Sequence, residues 1–319
     1  MPRSVRFVSI LAVAVLAACS SAGPSAAPTP TPAPVSQASE APGTPAATAN
    51  ACAPDKLQTV TLGKLTVGTD NPAYPPYFAV HDGPFPSPWA NEGYTGDPTT
   101  GDGFESAVAF SIARRMGYSN DQVSWVVVPF NNSYAPGNKS FDFDINQISY
   151  TADRAQNVDM SDGYYDLNQA VVALVANPAS KATSIADLKA YKFGAQVGTT
   201  SYQTIQDVIQ PTTEAAVYDT NDAAVEALKG KQIDAIVVDL PTADFIANAG
   251  VEIDSGLATI VGQLQPASGT NEHFSLVLSK GNPLTGCVNA AIASLKADGT
   301  LAALATKWLP FQEGVPVLK

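Results

Sequence analysis

Polar residues that could bind a small charged molecule follow three of the apolar runs in this sequence. In the first group, Arg154 comes shortly after Ser149 and Thr151, at the end of a predicted buried strand over 141–148. Open α/β sheets bind their ligands at the carboxyl edge of the strands. A guanidinium together with hydroxyl groups at that edge would form a site for an anion.

Arg154 could instead be an exposed loop residue that pairs with Asp153 or Asp162. Arginine is scarce in this sequence, which favours a binding role. Past the N-terminal segment, it occurs as Arg154 and as an adjacent pair on a predicted helix surface, Arg114 and Arg115. Scarcity alone leaves both interpretations open.

The second group is the run Gly198-Thr-Thr-Ser201, which lies between a predicted strand and a predicted helix. Unpaired backbone N–H groups and the helix dipole favour an anion at such a junction, and the hydroxyls of Thr199 and Thr200 add donors. The run lacks the lysine and the length of a nucleotide-binding P-loop. Because Thr and Ser commonly cap helices, capping alone is the simpler interpretation.

The third group is a single carboxylate, Asp239, which ends an apolar strand just before Leu240 and Pro241. It could cap a helix that begins near Thr242, or it could face a ligand at the same sheet edge as Arg154. An arginine, a helix N-terminus and an opposed aspartate are the groups that an α-amino acid requires. The guanidinium binds the carboxylate through two N–H groups, and the aspartate accepts from the ammonium.

Aromatic residues also follow strand ends. Tyr74, Tyr77 and Phe130 could line a pocket that packs a ligand side chain, or could be ordinary core or lid aromatics. The sequence shows no catalytic signature: its two histidines, His81 and His273, are not spaced for a metal, and it has no nucleophile elbow. We therefore expect binding rather than catalysis, with no metal or cofactor.

The elements that position these residues alternate between strand and helix, which predicts an α/β fold with a largely parallel sheet. One amphipathic helix is predicted over 104–116, because Phe104, Val108, Ile112 and Met116 recur every four residues and Gly117 is a natural stop. The predicted strands cover 64–70, 123–128, 141–148, 169–175, 192–197, 233–238 and 274–278. The other predicted helices cover 184–189, 202–209 and 222–229, with two more near the C-terminus.

The N-terminus is typical of an exported lipoprotein. Basic residues precede an apolar run that is too short to span a bilayer, and the run ends in Leu-Ala-Ala-Cys19. We interpret residues 1–19 as a signal peptide and Cys19 as the lipidated residue, with plain secretion as the alternative. Residues 20–55 are rich in proline, alanine, serine and threonine, which predicts a disordered tether.

The formal net charge of −12 argues against nucleic acid as a partner, because nucleic acids are polyanionic. In an oxidising compartment the two remaining cysteines, Cys52 and Cys287, are expected to form a disulfide bond. Such a bond would join the start of the folded region to its end. The folded part is long enough for two lobes.

From about residue 64 to residue 309, the chain resembles the family 3 extracellular solute-binding proteins of polar amino acid ABC importers. The resemblance rests on the order and spacing of many short motifs. They are Gly68-Thr-Asp70 with Tyr74-Pro-Pro-Tyr77, Gly103-Phe-Glu105, Ser149-Tyr-Thr-Ala-Asp-Arg154, Asp159-Met-Ser-Asp-Gly-Tyr-Tyr165, Ile185-Ala-Asp-Leu188, Val197-Gly-Thr-Thr200, Gln232-Ile-Asp-Ala-Ile-Val-Val-Asp239, Lys280-Gly-Asn-Pro283, Ala297-Asp-Gly-Thr300 and Lys307-Trp-Leu309.

The resemblance implies a type II periplasmic-binding-protein fold, with two α/β lobes joined by two hinge crossovers. We expect residues 56–166 and 273–319 in lobe 1 and residues 167–272 in lobe 2. The implied roles are carboxylate binding by Arg154, Ser149, Thr199 and Thr200, ammonium binding by Asp239, and side-chain contacts by Asp70, Tyr74 and Phe130.

The sequence departs from the family in three places: a long segment over 81–102, Gln147 where a small residue is common, and an unusual run over 132–139. All three are expected near the cleft, so the identity of the ligand stays open. The resemblance implies a monomeric, lipid-anchored protein outside the cell that delivers a polar amino acid to an ABC permease. The alternatives are a ligand sensor and a scaffold-related dehydratase acting on a small carboxylic acid, for which Asp70 or Asp144 would supply the acid.

Overall fold

The computed structural model describes residues 51–89, 95–267, 269, 271–309 and 314–319. The predicted signal peptide, the lipidation site Cys19 and the tether as far as residue 50 lie outside these residues. The end of the expected tether is folded, because Cys52 forms the predicted disulfide bond with Cys287, with 5.6 Å between their Cα atoms. In the parts of the chain that the structure describes, no helix combines the length and apolar character needed to cross a membrane.

The strands and helices alternate along much of the chain. The strands are β1 Leu65–Thr69, β2 Val123–Val127, β3 Phe143–Asp144, β4 Val158–Met160, β5 Tyr165–Leu167, β6 Gln169–Leu174, β7 Phe193–Gln196, β8 Ala216–Tyr218, β9 Ala235–Asp239, β10 Ala258–Leu264, β11 Glu272–Phe274 and β12 Val277–Ser279. The helices are α1 Phe104–Arg115, α2 Phe130–Ser133, α3 Arg154–Asn157, α4 Ile185–Leu188, α5 Thr200–Thr204, α6 Asn221–Lys229, α7 Leu240–Asn248, α8 Leu284–Ala297 and α9 Thr300–Trp308.

Two five-stranded sheets form the centres of two lobes. The first has the order β2-β1-β3-β12-β4, and the second has the order β10-β6-β9-β7-β8. In the first sheet β12 is antiparallel to both its neighbours, and in the second β6 is antiparallel to both of its own. These are the strands by which the chain enters a lobe after crossing from the other. The expected parallel pairing therefore holds for β1 with β2 and β3, and for β7 with β8 and β9, and fails at the entry strands.

The two crossings lie side by side. Strand β5 leads from the first lobe to the second and β11 leads back, and the two pair antiparallel with Leu167 opposite Glu272 and Tyr165 opposite Phe274. This ribbon is the hinge. Two strands predicted from the sequence differ in length from the strands observed. The strand expected over 274–278 is divided between β11 and β12, and the strand expected over 141–148 is shortened to β3.

Apolar burial holds each lobe together. The predicted stripe on α1 is buried, with Phe104, Val108 and Ile112 at 0% exposure, and it packs beneath the first sheet with residues of α8 and α9. The second sheet is covered on both faces by separate apolar clusters. The C-terminal tail departs from the expected division of the chain, because Leu318 packs in a second-lobe cluster and Val317 bridges to Gln263 of β10.

Candidate functional site

A cavity of about 140 Å³ lies between the two lobes. It brings together most of the predicted binding residues: Asp70, Tyr74, Phe130, Gln147, Arg154, Thr199, Thr200 and Asp239. Ser201 of the Gly198-Thr-Thr-Ser201 run also lines the cavity, together with residues for which no binding role was predicted: Asn71, Pro72, Asn146, Gln196, Thr220, Asn221, Val238 and Thr242.

Arg154 begins α3 and is buried, with 6% of its surface exposed. One terminal nitrogen donates to the carbonyl oxygen of Ser149 at 2.6 Å, and the other donates to the carbonyl oxygen of Gly198 at 2.8 Å. The alternative of an exposed loop arginine paired with Asp153 or Asp162 is therefore wrong. Burial lowers the pKa of Arg154, although a guanidinium stays charged in proteins.

Two aromatic rings pack close to the guanidinium group of Arg154. Its central carbon lies 4.5 Å from the ring centre of Tyr134 and 5.5 Å from that of Phe130. Such cation–π contacts orient the charged group and compensate for part of its lost hydration. Tyr134 belongs to the unusual segment over 132–139, so this departure from the family supplies a wall of the arginine site. No local pattern predicts the contact between Tyr134 and Arg154, because 20 residues separate the two side chains along the chain.

Several contacts connect the lobes across the cleft. The hydroxyl of Tyr74 donates to Oδ2 of Asp222 at 2.6 Å, and the hydroxyls of Tyr77 and Thr242 lie 3.1 Å apart. Together with the contact from Arg154 to Gly198, these bonds hold the lobes in a closed arrangement. Ligands that favour such an arrangement bind by shifting the population toward it.

Thr199 caps α5, because its hydroxyl accepts from the backbone N–H of Tyr202 at 3.2 Å and donates to the carbonyl of Gln196 at 2.7 Å. The capping interpretation is therefore right for Thr199, although the residue also lines the cavity. Thr200 is the first residue of α5 and lines the cavity as well.

Asp239 ends β9 and precedes α7, but its side chain makes no capping hydrogen bond. Its Oδ1 instead accepts from the side-chain amide of Gln169 at 2.7 Å. Burial raises the pKa of Asp239 to about 8; the negative charge of Glu272 adds to this, whereas the bond from Gln169 and the charge of Arg154 oppose it.

Asp70 follows β1 and lines the cavity. Its carboxylate accepts from the backbone N–H of Asn71 at 2.8 Å and from that of Phe130 at 3.2 Å. Burial raises its pKa. Asp70 therefore presents a fixed acceptor to the cavity.

Gln147 has a left-handed backbone, with φ at +48°, which is unusual for a residue with a side chain. Hydrogen bonds to buried Glu105 stabilise this backbone conformation of Gln147. Oε1 of Glu105 accepts from the backbone N–H of Gln147 at 2.8 Å, and the carboxylate also contacts the side chains of Gln147 and Tyr164. Burial raises the pKa of Glu105 to about 7.

Two predicted binding residues and one candidate acid lie behind the cavity wall. Ser149 and Tyr77 are only 1% and 2% exposed, and among the described residues nothing bonds to the hydroxyl of Ser149. Asp144 is fully buried within the first sheet, where neither carboxylate oxygen has a described hydrogen-bond partner and burial raises its pKa well above the usual range. Asp144 does not line the cavity, so it is not placed to act on a ligand there.

Comparison with known proteins identifies a family match and relatives of this chain. The sequence matches the bacterial extracellular solute-binding proteins, family 3, over residues 87–311. A curated relative, the L-cystine-binding protein TcyJ of Escherichia coli strain K12, is 26% identical over 249 residues, covering 77% of this chain and 82% of the relative.

Two solved structures are similar in fold and sequence. An ancestral arginine-binding protein bound to glutamine shares 27% identity at a TM-score of 0.62, covering 79% of this chain and 100% of that chain. The ancestral amino acid-binding protein AncCDT-1, described as a precursor of cyclohexadienyl dehydratase, shares 26% identity at a TM-score of 0.59, covering 77% of this chain and 95% of that chain. The two-lobed architecture is the type II periplasmic-binding-protein fold.

Proposed function

The chain belongs to the bacterial extracellular solute-binding proteins of family 3, and on that premise we propose that it captures a polar α-amino acid in the interlobe cavity. A single relationship carries the proposal. Arg154 from the first lobe and Asp239 from the second line one cavity, and their charges are opposite once the carboxyl group of Asp239 is ionised. An α-amino acid carries a carboxylate and an ammonium group on the same carbon, so one molecule satisfies both residues only when the lobes are together.

The carboxylate of the amino acid would bind Arg154 and the start of α5. The two bonds to Ser149 and Gly198 use two of the five N–H donors of the guanidinium. The other donors, with the hydroxyl of Thr200, would bind the carboxylate oxygens. The aromatic rings of Phe130 and Tyr134 keep the guanidinium plane in position for this contact.

The side chain of the amino acid would extend toward Asp70, Phe130 and Tyr74. Because Asp70 is a fixed acceptor, a side chain that donates hydrogen bonds fits there, as in glutamine or a basic amino acid. A basic side chain would also balance the charge of the cavity lining, in which Asp70 and Asp239 face the single arginine, Arg154. The similarity to an ancestral arginine-binding protein, solved with glutamine, supports this class of ligand.

Delivery to an ABC permease would take place at the outer surface of the membrane. We propose that Cys19 is lipidated and becomes the first residue of the mature protein when residues 1–18 are removed, and that residues 20–50 tether a monomeric binding domain to the membrane. Cell fractionation tests this part, because Cys19→Ala would move the protein from the membrane fraction to the medium or the soluble envelope fraction.

Calorimetric titration of the purified folded domain with the twenty proteinogenic amino acids tests the binding function. We expect at least one polar amino acid to bind, and Arg154→Ala and Asp239→Ala each to weaken its binding by roughly 2–5 kcal/mol without unfolding the domain. Arg115→Ala is the matched control, because Arg115 pairs with Asp298 on the surface of the first lobe.

Normal binding by both cavity variants would contradict the proposed site. Recovery of the amino acid unchanged after long incubation supports capture. Formation of a dehydrated product would instead support an enzyme on this scaffold.

A further inference from the structure

The chain passes between the two lobes a third time, after the two strands of the hinge ribbon. Leu309, which follows α9, is 4% exposed and packs in the apolar cluster of the first lobe. Residues 314–319 lie on the second lobe, where Leu318 is 3% exposed in one of the clusters that cover the second sheet. We call residues 314–319 the strap.

The strap adds a short parallel strand to the edge of the second sheet. The backbone N–H of Gln263 in β10 donates to the carbonyl oxygen of Pro316 at 2.7 Å, and the N–H of Leu318 donates to the carbonyl oxygen of Gln263 at 2.9 Å. The N–H of Ile185 donates to the carbonyl oxygen of Lys319 at 3.0 Å. Because β10 is the outermost strand of this sheet, the strap satisfies backbone groups that an open edge would leave unpaired.

Side chains fix the strap beside the first hinge crossing. Leu318 packs against Gly262, where an added Cβ atom would lie only 2.6 Å from Cγ of Leu318. The side chain of Gln263 donates from Nε2 to the carbonyl oxygen of Val315 at 2.9 Å, and its Oε1 accepts from Nδ2 of Asn168, also at 2.9 Å. Asn168 is the residue between hinge strand β5 and entry strand β6. One side chain therefore bonds both the strap and the end of a hinge strand.

The connection between the two anchors is short. Leu309 on the first lobe and Val315 on the second are six residues apart in the sequence. Six residues span at most about 20 Å when fully extended. Opening of the cleft rotates one lobe against the other about the hinge. Such a rotation can continue only until this connection is fully extended, unless the strap leaves β10 and exposes Leu318.

We propose that the strap is a third hinge element that limits how far the two lobes open in the ligand-free protein. The two strands of the ribbon set the axis of the rotation, and the strap sets its range. The range matters for binding, because a ligand enters the open cleft and is retained in the closed one. This role does not depend on which ligand binds, so it goes beyond the proposed amino acid-binding function.

A short Gly/Ser insertion between residues 313 and 314 tests the proposal, because it lengthens the connection and keeps every contact of the strap. Spin labels at Asn120→Cys on the first lobe and Asp207→Cys on the second, both exposed, report the distance between the lobes by electron paramagnetic resonance. Cys52 and Cys287 are joined to each other and do not take a label. Without ligand, we expect the insertion to lengthen the mean distance by several ångströms and to broaden its distribution.

The matched control is the same insertion after Gly256, an exposed position in a loop of the second lobe where an added Cβ would meet nothing within 4 Å. We expect the wild-type distance there. Detachment of the strap gives a second test. Leu318→Asp would place a charge in an apolar cluster and should lengthen the distance, whereas Val317→Asp, at an exposed position of the strap, should not.

An unchanged distance in the variant lengthened before residue 314 would overturn the proposal, even if Leu318→Asp unfolds the second lobe. Equal lengthening by the insertion after Gly256 would also overturn it, because the effect would then not come from the connection between the lobes. Since every distance is measured without ligand, the outcome stands whether or not the wild-type protein binds any of the twenty amino acids.

Discussion

Arg154 in the first lobe donates a 2.8 Å hydrogen bond to the carbonyl oxygen of Gly198 in the second. The hydroxyl of Tyr134 lies 3.3 Å from the same oxygen. Gly198 has φ at +76°, and a Cβ atom there would lie 2.5 Å from Oδ1 of Asn131 and 2.6 Å from the Tyr134 hydroxyl. The arginine proposed to bind the carboxylate therefore also contacts the opposite lobe, and glycine at position 198 leaves room for that contact without displacing Asn131 or Tyr134.

We expect Gly198→Ala to weaken amino acid binding at least tenfold, because the added methyl group would keep the lobes apart. The matched control is Gly281→Ala. Gly281 also has a left-handed backbone, with φ at +72°, but a Cβ there would meet nothing within 4 Å. Both variants should lose roughly 1–2 kcal/mol of stability from the backbone conformation. Calorimetry and thermal unfolding separate the two effects, and equal affinities in both variants would contradict a steric role at the cleft.

We expect binding to strengthen as the pH rises from 6 to 8. The pKa of Asp239 is raised to about 8 by burial and by the charge of Glu272. Below that pH the carboxyl is mostly protonated, and a proton must leave before the ammonium can bind. The affinity should therefore change by up to about tenfold per pH unit.

Titration in two buffers of different ionisation enthalpy measures the released proton directly, and about one proton is expected near pH 7. In Asp239→Asn the binding should be weaker and nearly independent of pH over this range. The same pH profile in wild type and Asp239→Asn would show that another group titrates.

Glu105 should make the folded protein less stable as the pH rises. Its pKa is raised from 4.5 to about 7 by burial, so the folded state holds this proton more tightly than the unfolded state does. The contribution is fully present below about pH 4.5 and is lost as the pH rises through 7, a change on the order of 3 kcal/mol.

Urea unfolding of wild type and Glu105→Gln at pH 5 and pH 8 measures this contribution. The stability of the wild type relative to Glu105→Gln should fall between these two pH values. Glu226→Gln, at an exposed position of α6, should show no such change relative to the wild type. A constant difference between wild type and Glu105→Gln would contradict the expected pKa of the buried acid.

The disulfide bond between Cys52 and Cys287 should contribute about 5–6 kcal/mol to stability in the chain-entropy model, because it closes a loop with a sequence separation of 235. Replacing both cysteines by serine should lower the urea midpoint by a corresponding amount and leave ligand affinity unchanged while the protein is folded. A thiol assay on unfolded, unreduced protein should find neither Cys52 nor Cys287 free. Two free thiols would show that the bond does not form.

Local patterns predicted much of the fold. Strand β1 and helix α1 were predicted to within one residue at each end, because their apolar periodicity and the glycine that follows α1 are local signals. The entry strands β6 and β12 were expected in a largely parallel sheet. Their direction depends on where the chain crosses between lobes, which no local pattern encodes.

The candidate site likewise combines residues that local sequence patterns predicted with residues that they did not predict. Arg154, Thr200 and Asp239 were predicted from the sequence because each lies at or after the end of an apolar run, and all three line the cavity. Glu272, whose charge raises the pKa of Asp239, gave no such signal. It contacts Gln169 across 103 residues of chain, and it does so because the two hinge crossings pair with each other.

By itself, the sequence predicted Arg154 and Asp239 as charged residues of a binding site and predicted which runs form the sheets that present them, because residue type and apolar periodicity are properties of short segments. Only the tertiary structure decided which charges meet. It placed Ser149 and Tyr77 behind the wall, Tyr134 against the guanidinium of Arg154, and Glu272 beside Asp239. The reason is that hinge pairing and lobe closure are contacts between distant segments, fixed by the packing of the whole chain.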